Sequence, residues 1–436
     1  MRFEYLFLIF IYFIVVIFFV IRLNNRSSLG YSLLIFAITF FIYNYSIPIE
    51  CIYTESFVFA LNDEPAELSD TTILFIFLNG PLAIAGFSFG LLLSKFDINP
   101  NKYKRDNFFY IRAKKIYPVF IIAVASILFF NFNDILGTIY SINNTTISYD
   151  KPFFKFSILL LTNLLTILGA IRFLEKSRND IYSYLVLLLV FLWGLLSGSK
   201  DEILIATLAF FITYFVSNDL KRLLNFSFYS ILLFFALPFL LVSFTIFRSG
   251  VNIDLEQIST LISYGLFKNT EPAGPLSVLN DIINNTHKTL YGTSYLNSFE
   301  ILVPKFIWPS RPLDLAEAFA RENMNDWEPG FGRGFSLLAE GYLNFNKYGT
   351  LIHYIIIGFT WGWVWRFFFM ICKQRFYLIN LCFYNTYGLY LLATLHRGPH
   401  SVIIKNLLLV MLPLFLMSLL LRIQFYSNKS NIQEGI

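Results

Sequence analysis

Residues 3–23 read FEYLFLIFIYFIVVIFFVIRL, an apolar run interrupted only by Glu4 and Arg22 near its ends. About 20 apolar residues are needed for an α-helix to cross the hydrocarbon core of a bilayer. The run has that length and lacks a small-residue cleavage site. It therefore predicts a retained membrane helix and not a signal peptide.

The rest of the chain repeats this composition. Of 436 residues, 56% are hydrophobic and only 14% are charged, with a mean hydropathy of +0.62. A soluble domain carries about a quarter charged residues. The net charge of +5 is small, and the basic residues lie at the ends of apolar runs. The charge thus indicates orientation in a membrane and not a nucleic-acid surface.

We expect an all-α polytopic membrane protein with about eleven transmembrane helices and one large extracytoplasmic loop containing short helices. The predicted spans lie near residues 3–23, 29–49, 71–93, 117–136, 153–172, 181–197, 203–216, 226–247, 350–371, 377–395 and 402–421. This divides the chain into helices 1–8 (residues 1–247), the large loop (248–349), and helices 9–11 with a cytoplasmic tail (350–436).

Loop charges give the orientation. Segment 94–116 has seven cations, whereas segment 50–70 has six acids and no cation. Cytoplasmic loops are enriched in Lys and Arg, which places 94–116 inside and 50–70 outside. Because successive spans cross the membrane in opposite directions, this assignment puts the large loop outside, together with the turns at 198–202 and 396–401.

The large loop has features of its own. Residues 255–267 and 313–322 have helical apolar spacing and predict short helices along the membrane. Six prolines between 272 and 329 argue against a long helix or sheet. The chain shows no internal repeat, which disfavours an inverted-repeat transporter.

Several cations are predicted on the outer face, where the charge rule disfavours them. They are Lys200, Arg248 and Arg397, with Lys305, Arg311 and Arg333 inside the large loop. They either snorkel toward lipid phosphates or together grip an anionic lipid headgroup such as a pyrophosphate. Trp308, among prolines and cations, either anchors at the interface or stacks on a sugar ring.

Glu340 is the leading catalytic candidate. It lies in the amphipathic piece Ser336–Phe345 that leads into the ninth span. A carboxyl partly buried at the bilayer edge has a raised pKa, which suits a general base. The alternative is that Glu340 pairs with Arg333 or Arg397 and holds the loop down. His396 is the second candidate base, although a histidine in polar packing is commoner.

We expect no metal site and no disulfide. No histidine pair has zinc-ligand spacing, and Asp63-Glu64 is only a weak candidate for holding a cation. The three cysteines are predicted to share no oxidising compartment.

Several of these stretches resemble the bacterial O-antigen polymerases, the Wzy-type oligosaccharide repeat-unit polymerases. The resemblance lies in Tyr291-Gly292-Thr293-Ser294-Tyr295, in Val303–Lys305 with Trp308–Pro312, and in Gly334–Phe345, and it extends to the span layout. Ser197-Gly198-Ser199-Lys200 is similar to a turn in which many relatives carry Gly-Ser-Arg. Lysine keeps the charge there but lacks the planar fork of arginine.

The resemblance implies a metal-independent glycosyltransferase without cofactors in the bacterial inner membrane, with its large loop in the periplasm. It would transfer a growing glycan from undecaprenyl pyrophosphate onto an undecaprenyl-pyrophosphate-linked repeat unit. Glu340, Arg333 and His396 would be catalytic, and Arg248, Lys200, Lys305, Trp308, Arg311 and Arg397 would bind pyrophosphate and glycan. A chain-length regulator and a flippase are implied as partners.

Two other functions share features with this pattern. An O-antigen ligase has the same donor and layout but a different acceptor. A lipid-linked oligosaccharide flippase is expected to have charged residues within its spans and short outer loops, which is the reverse of the pattern here.

Overall fold

The computed structural model describes residues 3–24, 29–61, 64–94, 267–268, 272–303, 307–323, 334–371, 395–401 and 403–404, together with Leu185 and Leu188. The helices are α1 (Phe3–Asn24), α2 (Leu29–Phe40), α3 (Ser46–Thr54), α4 (Asp70–Leu93), α5 (Ala273–Asn284), α6 (Thr293–Glu300), α7 (Leu315–Asn323), α8 (Leu337–Phe345) and α9 (Gly349–Ile371). A π-helix (Phe41–Tyr45), two 3₁₀ turns (Asn346–Tyr348, Leu395–Arg397) and two strands, β1 (Val58–Leu61) and β2 (Glu64–Glu67), complete the described elements.

The membrane character of the chain is confirmed in the described ranges. Three segments there are long and apolar enough to cross a bilayer: Glu4–Leu23, Ser32–Thr54 and Asp70–Leu93. They correspond to the predicted spans at 3–23, 29–49 and 71–93. Helix α9 covers the predicted span at 350–371. The other predicted spans lie wholly or mostly outside the described residues.

Helices α4 and α9 pack backbone to backbone, because small residues face each other. A Cβ added at Gly86 would lie 2.7 Å from the Leu351 carbonyl oxygen, and one at Gly358 would collide with the Phe87 carbonyl. Gly86 and Gly90 form a GxxxG pattern, which lets membrane helices approach closely where side chains would hold them apart. This contact fixes the start of α9 relative to the rest of the bundle.

The second span bends around a π-helical turn. The turn, Phe41–Tyr45, directly precedes α3, whose Pro48 has no backbone N–H to donate into the preceding turn. Pro81 in α4 likewise leaves the Phe77 carbonyl without its helical donor, and the Tyr45 hydroxyl donates to that carbonyl at 3.4 Å. An added Cβ at Gly80 would strike the Tyr45 ring, so only glycine admits this contact.

A small β-hairpin departs from the all-α expectation. Strands β1 and β2 are antiparallel, with Val58 paired to Glu67 and Leu61 to Glu64. Residues 62 and 63 of the sequence lie between the two strands. Four-residue strands are too short to show a clear alternation, so the all-α prediction was wrong for this segment.

Helix α5, inside the predicted large loop, is pinned to the start of α4. The Asn280 amide oxygen accepts from the Ser69 backbone N–H at 3.1 Å and from the Thr72 hydroxyl at 2.9 Å. Its amide nitrogen donates to the Glu67 carbonyl at 2.9 Å. Ser69 is also the N-cap of α4, accepting from Thr72 N. The loop helices are thereby anchored at one end of the membrane helices.

One of the two short helices predicted between residues 248 and 349 is present, whereas the assignment of this region to an extracytoplasmic loop stays a prediction. Helix α7, Leu315–Asn323, matches the prediction at 313–322, whereas the prediction at 255–267 lies outside the described residues apart from Phe267. Helices α5, α6 and α8 are additional short helices in this region.

Candidate carboxylate site

Glu340 occupies the first turn of α8 and is fully buried. Ser336 caps this helix by accepting from the Ala339 backbone N–H at 3.0 Å, and the capped turn fixes the direction of the Glu340 side chain. The predicted burial of this carboxyl is confirmed, and it is deeper than the partial burial expected from the amphipathic pattern.

Both carboxylate oxygens accept a short hydrogen bond. The Ser294 hydroxyl donates to Oε1 at 2.6 Å, and the His400 backbone N–H donates to Oε2 at 2.7 Å. The site therefore joins three segments that are far apart in sequence: α6, α8 and the turn after residue 395. Such donors hold the carboxylate in one orientation.

Asn344 fixes the donor-to-acceptor direction of the hydrogen bonds in this network. One turn beyond Glu340, its amide nitrogen donates to Ser294 Oγ at 2.8 Å and to the Glu340 carbonyl at 2.9 Å. Its amide oxygen accepts from the Gly292 N–H at 2.9 Å. Because Asn344 donates to the Ser294 oxygen, the Ser294 hydrogen is directed at Glu340.

The start of α6 depends on glycine. Gly292, the residue before the helix, has φ +86°, a left-handed conformation that glycine adopts without steric cost. This turn aims the Gly292 N–H at Asn344 and brings Ser294 to the carboxylate.

Burial raises the pKa of Glu340 from 4.5 to about 7, because the charged form loses its hydration. The hydrogen bonds from Ser294 and His400 act in the opposite direction, since they stabilise the carboxylate. A carboxylate with a pKa near neutrality combines a usable ionised population with enough basicity to take a proton. A pKa near neutrality is compatible with the general-base role of Glu340, which stays a prediction.

Glu340 is among the residues that line a cavity of about 230 Å³. We call it the Glu340 cavity. Its wall includes the polar side chains of Thr293, Ser294, Asn297, Glu340 and Ser401. Leu290, Leu343 and Phe319 contribute apolar surface, and His287, Lys288 and Glu322 add titratable groups. The Glu340 carboxylate is therefore next to space in which a small ligand can lie.

Tyr295 links two histidines beside the site. Its hydroxyl is hydrogen-bonded to His353 Nδ1, and its ring stacks on His353 with centroids 5.7 Å apart. The same ring meets His400 edge to face at 5.4 Å. His400, whose backbone N–H binds Glu340, is thus packed through Tyr295 against the second turn of α9. The position of the carboxylate therefore depends on α9.

His396, the second candidate base, lies in a different environment. It is fully buried, with its ring 4.8 Å from Phe36 and 5.3 Å from Phe40, measured between centroids. Burial lowers the pKa of His396 to about 3, so the imidazole is neutral and weakly basic at pH 7. Its catalytic role remains a prediction, and Glu340 remains the first choice.

Arg311 and Trp308 occupy the segment after α6. Arg311 Nη1 donates to the carbonyls of Ile301 and Val303, the latter at 2.7 Å. This guanidinium therefore closes the C-terminal end of α6. Trp308 is 37% exposed, and its indole N–H donates to Ser310 Oγ at 3.0 Å. Arg397 is exposed at the end of the 3₁₀ turn Leu395–Arg397.

The remaining predicted site residues, Arg333, Arg248, Lys200 and Lys305, lie outside the described residues. In the part of the chain that is described, no group of three or more His, Cys, Asp or Glu side chains is arranged to hold a metal ion.

Sequence reasoning did not assign roles to Ser294, Asn344 or the His400 backbone. Both residues lie in stretches that resemble the polymerases: Ser294 in Tyr291–Tyr295, and Asn344 in the stretch that contains Glu340. A spacing signal existed for Asn344, because residues four apart share a helix face. The bond from His400 N to Glu340 joins residues 60 positions apart, and no local pattern reveals it.

The fold and site define a mostly helical membrane protein with a buried, hydrogen-bonded carboxylate beside a small cavity. The family model described as O-antigen polysaccharide polymerase Wzy matches residues 2–430, nearly the whole chain. The chain therefore belongs to the Wzy O-antigen polysaccharide polymerase family, as the motifs indicated. Neither the curated proteins nor the solved structures compared with this chain gave a significant match. The family assignment supports an enzyme of polysaccharide biosynthesis and favours a polymerase over a ligase or a flippase.

Proposed function

We propose that this protein extends a surface polysaccharide at the periplasmic face of the bacterial inner membrane. It transfers a growing glycan from undecaprenyl pyrophosphate onto the terminal sugar of an undecaprenyl-pyrophosphate-linked repeat unit. The family match supports the reaction class. The observation that carries the mechanism is the buried Glu340 carboxylate, which two donors orient and which belongs to a residue of the cavity wall.

In this reaction a hydroxyl oxygen of the acceptor sugar forms a bond to the anomeric carbon of the donor. The bond from that carbon to the pyrophosphate oxygen breaks, and its electron pair leaves with the pyrophosphate. Glu340 accepts the hydroxyl proton. Fixed positive charge near a leaving pyrophosphate stabilises the transition state, and each well-placed donor contributes on the order of several kcal/mol. Arg248, Arg311, Arg333, Arg397, Lys200 and Lys305 are the cations we assign to this task, without a metal ion.

The large loop, including α5 to α8, faces the periplasm in this proposal. The acid-rich segment 50–70 and the cation-rich segment 94–116 support that orientation through the positive-inside rule. A flippase would deliver the repeat units to this side, and a chain-length regulator would act on the product.

Deletion of the gene followed by mass spectrometry of lipid-linked glycans tests the reaction class. We expect a single undecaprenyl-linked repeat unit to accumulate and lipopolysaccharide to carry at most one repeat. Accumulation of long polymer on undecaprenyl pyrophosphate would instead identify a ligase. An unchanged pool of lipid-linked glycans would contradict both activities.

Complementation with Glu340→Gln tests the site. Loss of a general base typically lowers the rate by about 10²–10⁴-fold, which would abolish the polysaccharide ladder on a gel. Glu300→Gln, in α6 but outside the Glu340 cavity, is the matched control and should restore the ladder. A full ladder with Glu340→Gln at normal protein level would remove Glu340 from the mechanism. Arg333→Ala tests the predicted cation in the same assay.

A further inference from the structure

The wall of the Glu340 cavity presents polar groups without protein partners. Ser401 is 4% exposed, and its buried Oγ has no hydrogen-bond partner within the described residues. Asn297 is half-buried in the same wall, and its side-chain amide makes no hydrogen bond to other described residues. Buried polar groups are nearly always satisfied by protein, water or ligand. A hydroxyl and an amide together offer both donors and acceptors, so they suit a ligand rich in hydroxyl groups.

The charge of the cavity is unsuited to a pyrophosphate. Glu322 and Glu340 contribute carboxylates, and Lys288 is the one lysine in the described wall, which contains no arginine. His287 faces Asp281, with Nε2 3.5 Å from the carboxylate oxygen. A ligand with two or more negative charges would be repelled by an ionised Glu340, whereas an uncharged sugar would not.

The remaining wall is apolar. Phe319, Leu343 and Leu313 line the cavity together with Leu290. A sugar ring has hydroxyl groups at its edge and C–H groups on its faces, so it matches a wall of this mixed composition. The volume of about 230 Å³ is smaller than the roughly 300–1,000 Å³ of pockets for drug-sized ligands, which indicates a small guest.

We propose that the Glu340 cavity is the subsite for the acceptor sugar, and that the donor pyrophosphate is bound outside it. The inference rests on the proposed function and extends it by assigning one of the two substrates to a place. In this arrangement the acceptor hydroxyl donates its proton to Glu340. Asn297 and Ser401 bind neighbouring hydroxyl groups and select which sugar is accepted.

The test measures binding of two separate probes to the full-length protein in lipid nanodiscs. One probe is the repeat-unit oligosaccharide of the host's own polysaccharide, prepared without lipid or phosphate. The other is undecaprenyl pyrophosphate without a glycan. We expect Asn297→Leu to weaken oligosaccharide binding about tenfold and to leave undecaprenyl pyrophosphate binding within about twofold. Asn285→Leu is the matched control, because Asn285 is exposed and lies outside the cavity wall.

Three outcomes would overturn the assignment: Asn297→Leu weakens only pyrophosphate binding, it changes neither affinity, or it weakens both equally. Ser401→Ala provides a second variant with a smaller change in volume if Asn297→Leu fails to fold. Neither measurement requires turnover. A failure of the proposed polymerase reaction would appear in the gene-deletion experiment and is thus distinguishable from a failure of this subsite.

Discussion

At the scale of single residues, Glu340 is subject to two opposing effects. Complete burial favours the neutral acid, whereas the Ser294 hydroxyl and the His400 N–H favour the carboxylate. The first effect is larger, so the pKa rises to about 7, but the second keeps the charged form accessible at neutral pH. Without these two donors the pKa of Glu340 would be higher, and a smaller fraction of the carboxyl would be ionised at neutral pH.

The pH dependence of the reaction follows from this balance. A general base works only when deprotonated, so activity should fall as the pH drops through about 7, the folded-state pKa of Glu340. The measurement is the initial rate of polymer formation by the purified protein in nanodiscs, between about pH 5 and 9. A rate that stays level down to about pH 5, near the ordinary range of a glutamate, would contradict the assignment of Glu340 as the base.

Ser294→Ala should shift the acidic limb of the pH–activity profile, which is the pH range in which activity falls on acidification. Removing the hydroxyl deletes a hydrogen bond that lowers the pKa of Glu340, so the pKa should rise further and the limb should shift to higher pH, by about one unit or more. Ser298→Ala is the matched control. Ser298 is also buried in α6, but its hydroxyl donates to the Ser294 carbonyl at 2.8 Å. Identical profiles for the two variants would show that Ser294 does not tune Glu340.

The chemistry of the site was readable from sequence only in part. Glu340 stood out because an acid in an amphipathic piece beside an apolar run is unusual. Its partners did not, because a serine and a backbone N–H carry no signal of their own. The bonds of Arg311 were not readable from sequence either: its Nη1 donates to the carbonyls of Ile301 and Val303. Its role in binding pyrophosphate stays a prediction.

At the scale of elements, apolar runs predict helices well because their length is set by the bilayer and not by local propensity. The π-helical turn at Phe41–Tyr45 and the hairpin at 58–67 were missed for different reasons. In the first, Tyr45 contacts α4 through the Phe77 carbonyl, a tertiary contact that the local sequence does not reveal. The second is too short for its periodicity to be recognised.

The Glu340 site depends on the packing of α4 against α9. Gly90→Leu should destabilise the protein by about 1–3 kcal/mol or more, because a side chain there meets the backbone of α9 at Ile355. Phe89→Leu, at a neighbouring position that is 50% exposed, should have little effect. Thermal unfolding in detergent, followed by size-exclusion chromatography, measures the difference. Equal midpoints for both variants would show that close packing at Gly90 is not needed.

At the scale of the whole molecule, the orientation in the membrane can be tested by labelling. In a background with Cys51, Cys372 and Cys382 replaced, Leu296→Cys should react with a membrane-impermeant maleimide supplied to the periplasm, because Leu296 is 67% exposed on α6. Lys104→Cys, in the cation-rich segment, should react only after the inner membrane is disrupted. The opposite pattern would invert the topology and place the carboxylate on the cytoplasmic side.

The bond from the His400 N–H to Glu340 has a consequence for biosynthesis. One donor to the carboxylate comes from a residue translated 60 positions after it, beyond the whole of α9. During translation the ribosome must therefore complete and insert that helix, and the turn after it, before the base acquires its second donor. A nascent chain that stalls in the membrane earlier than this has an incomplete site.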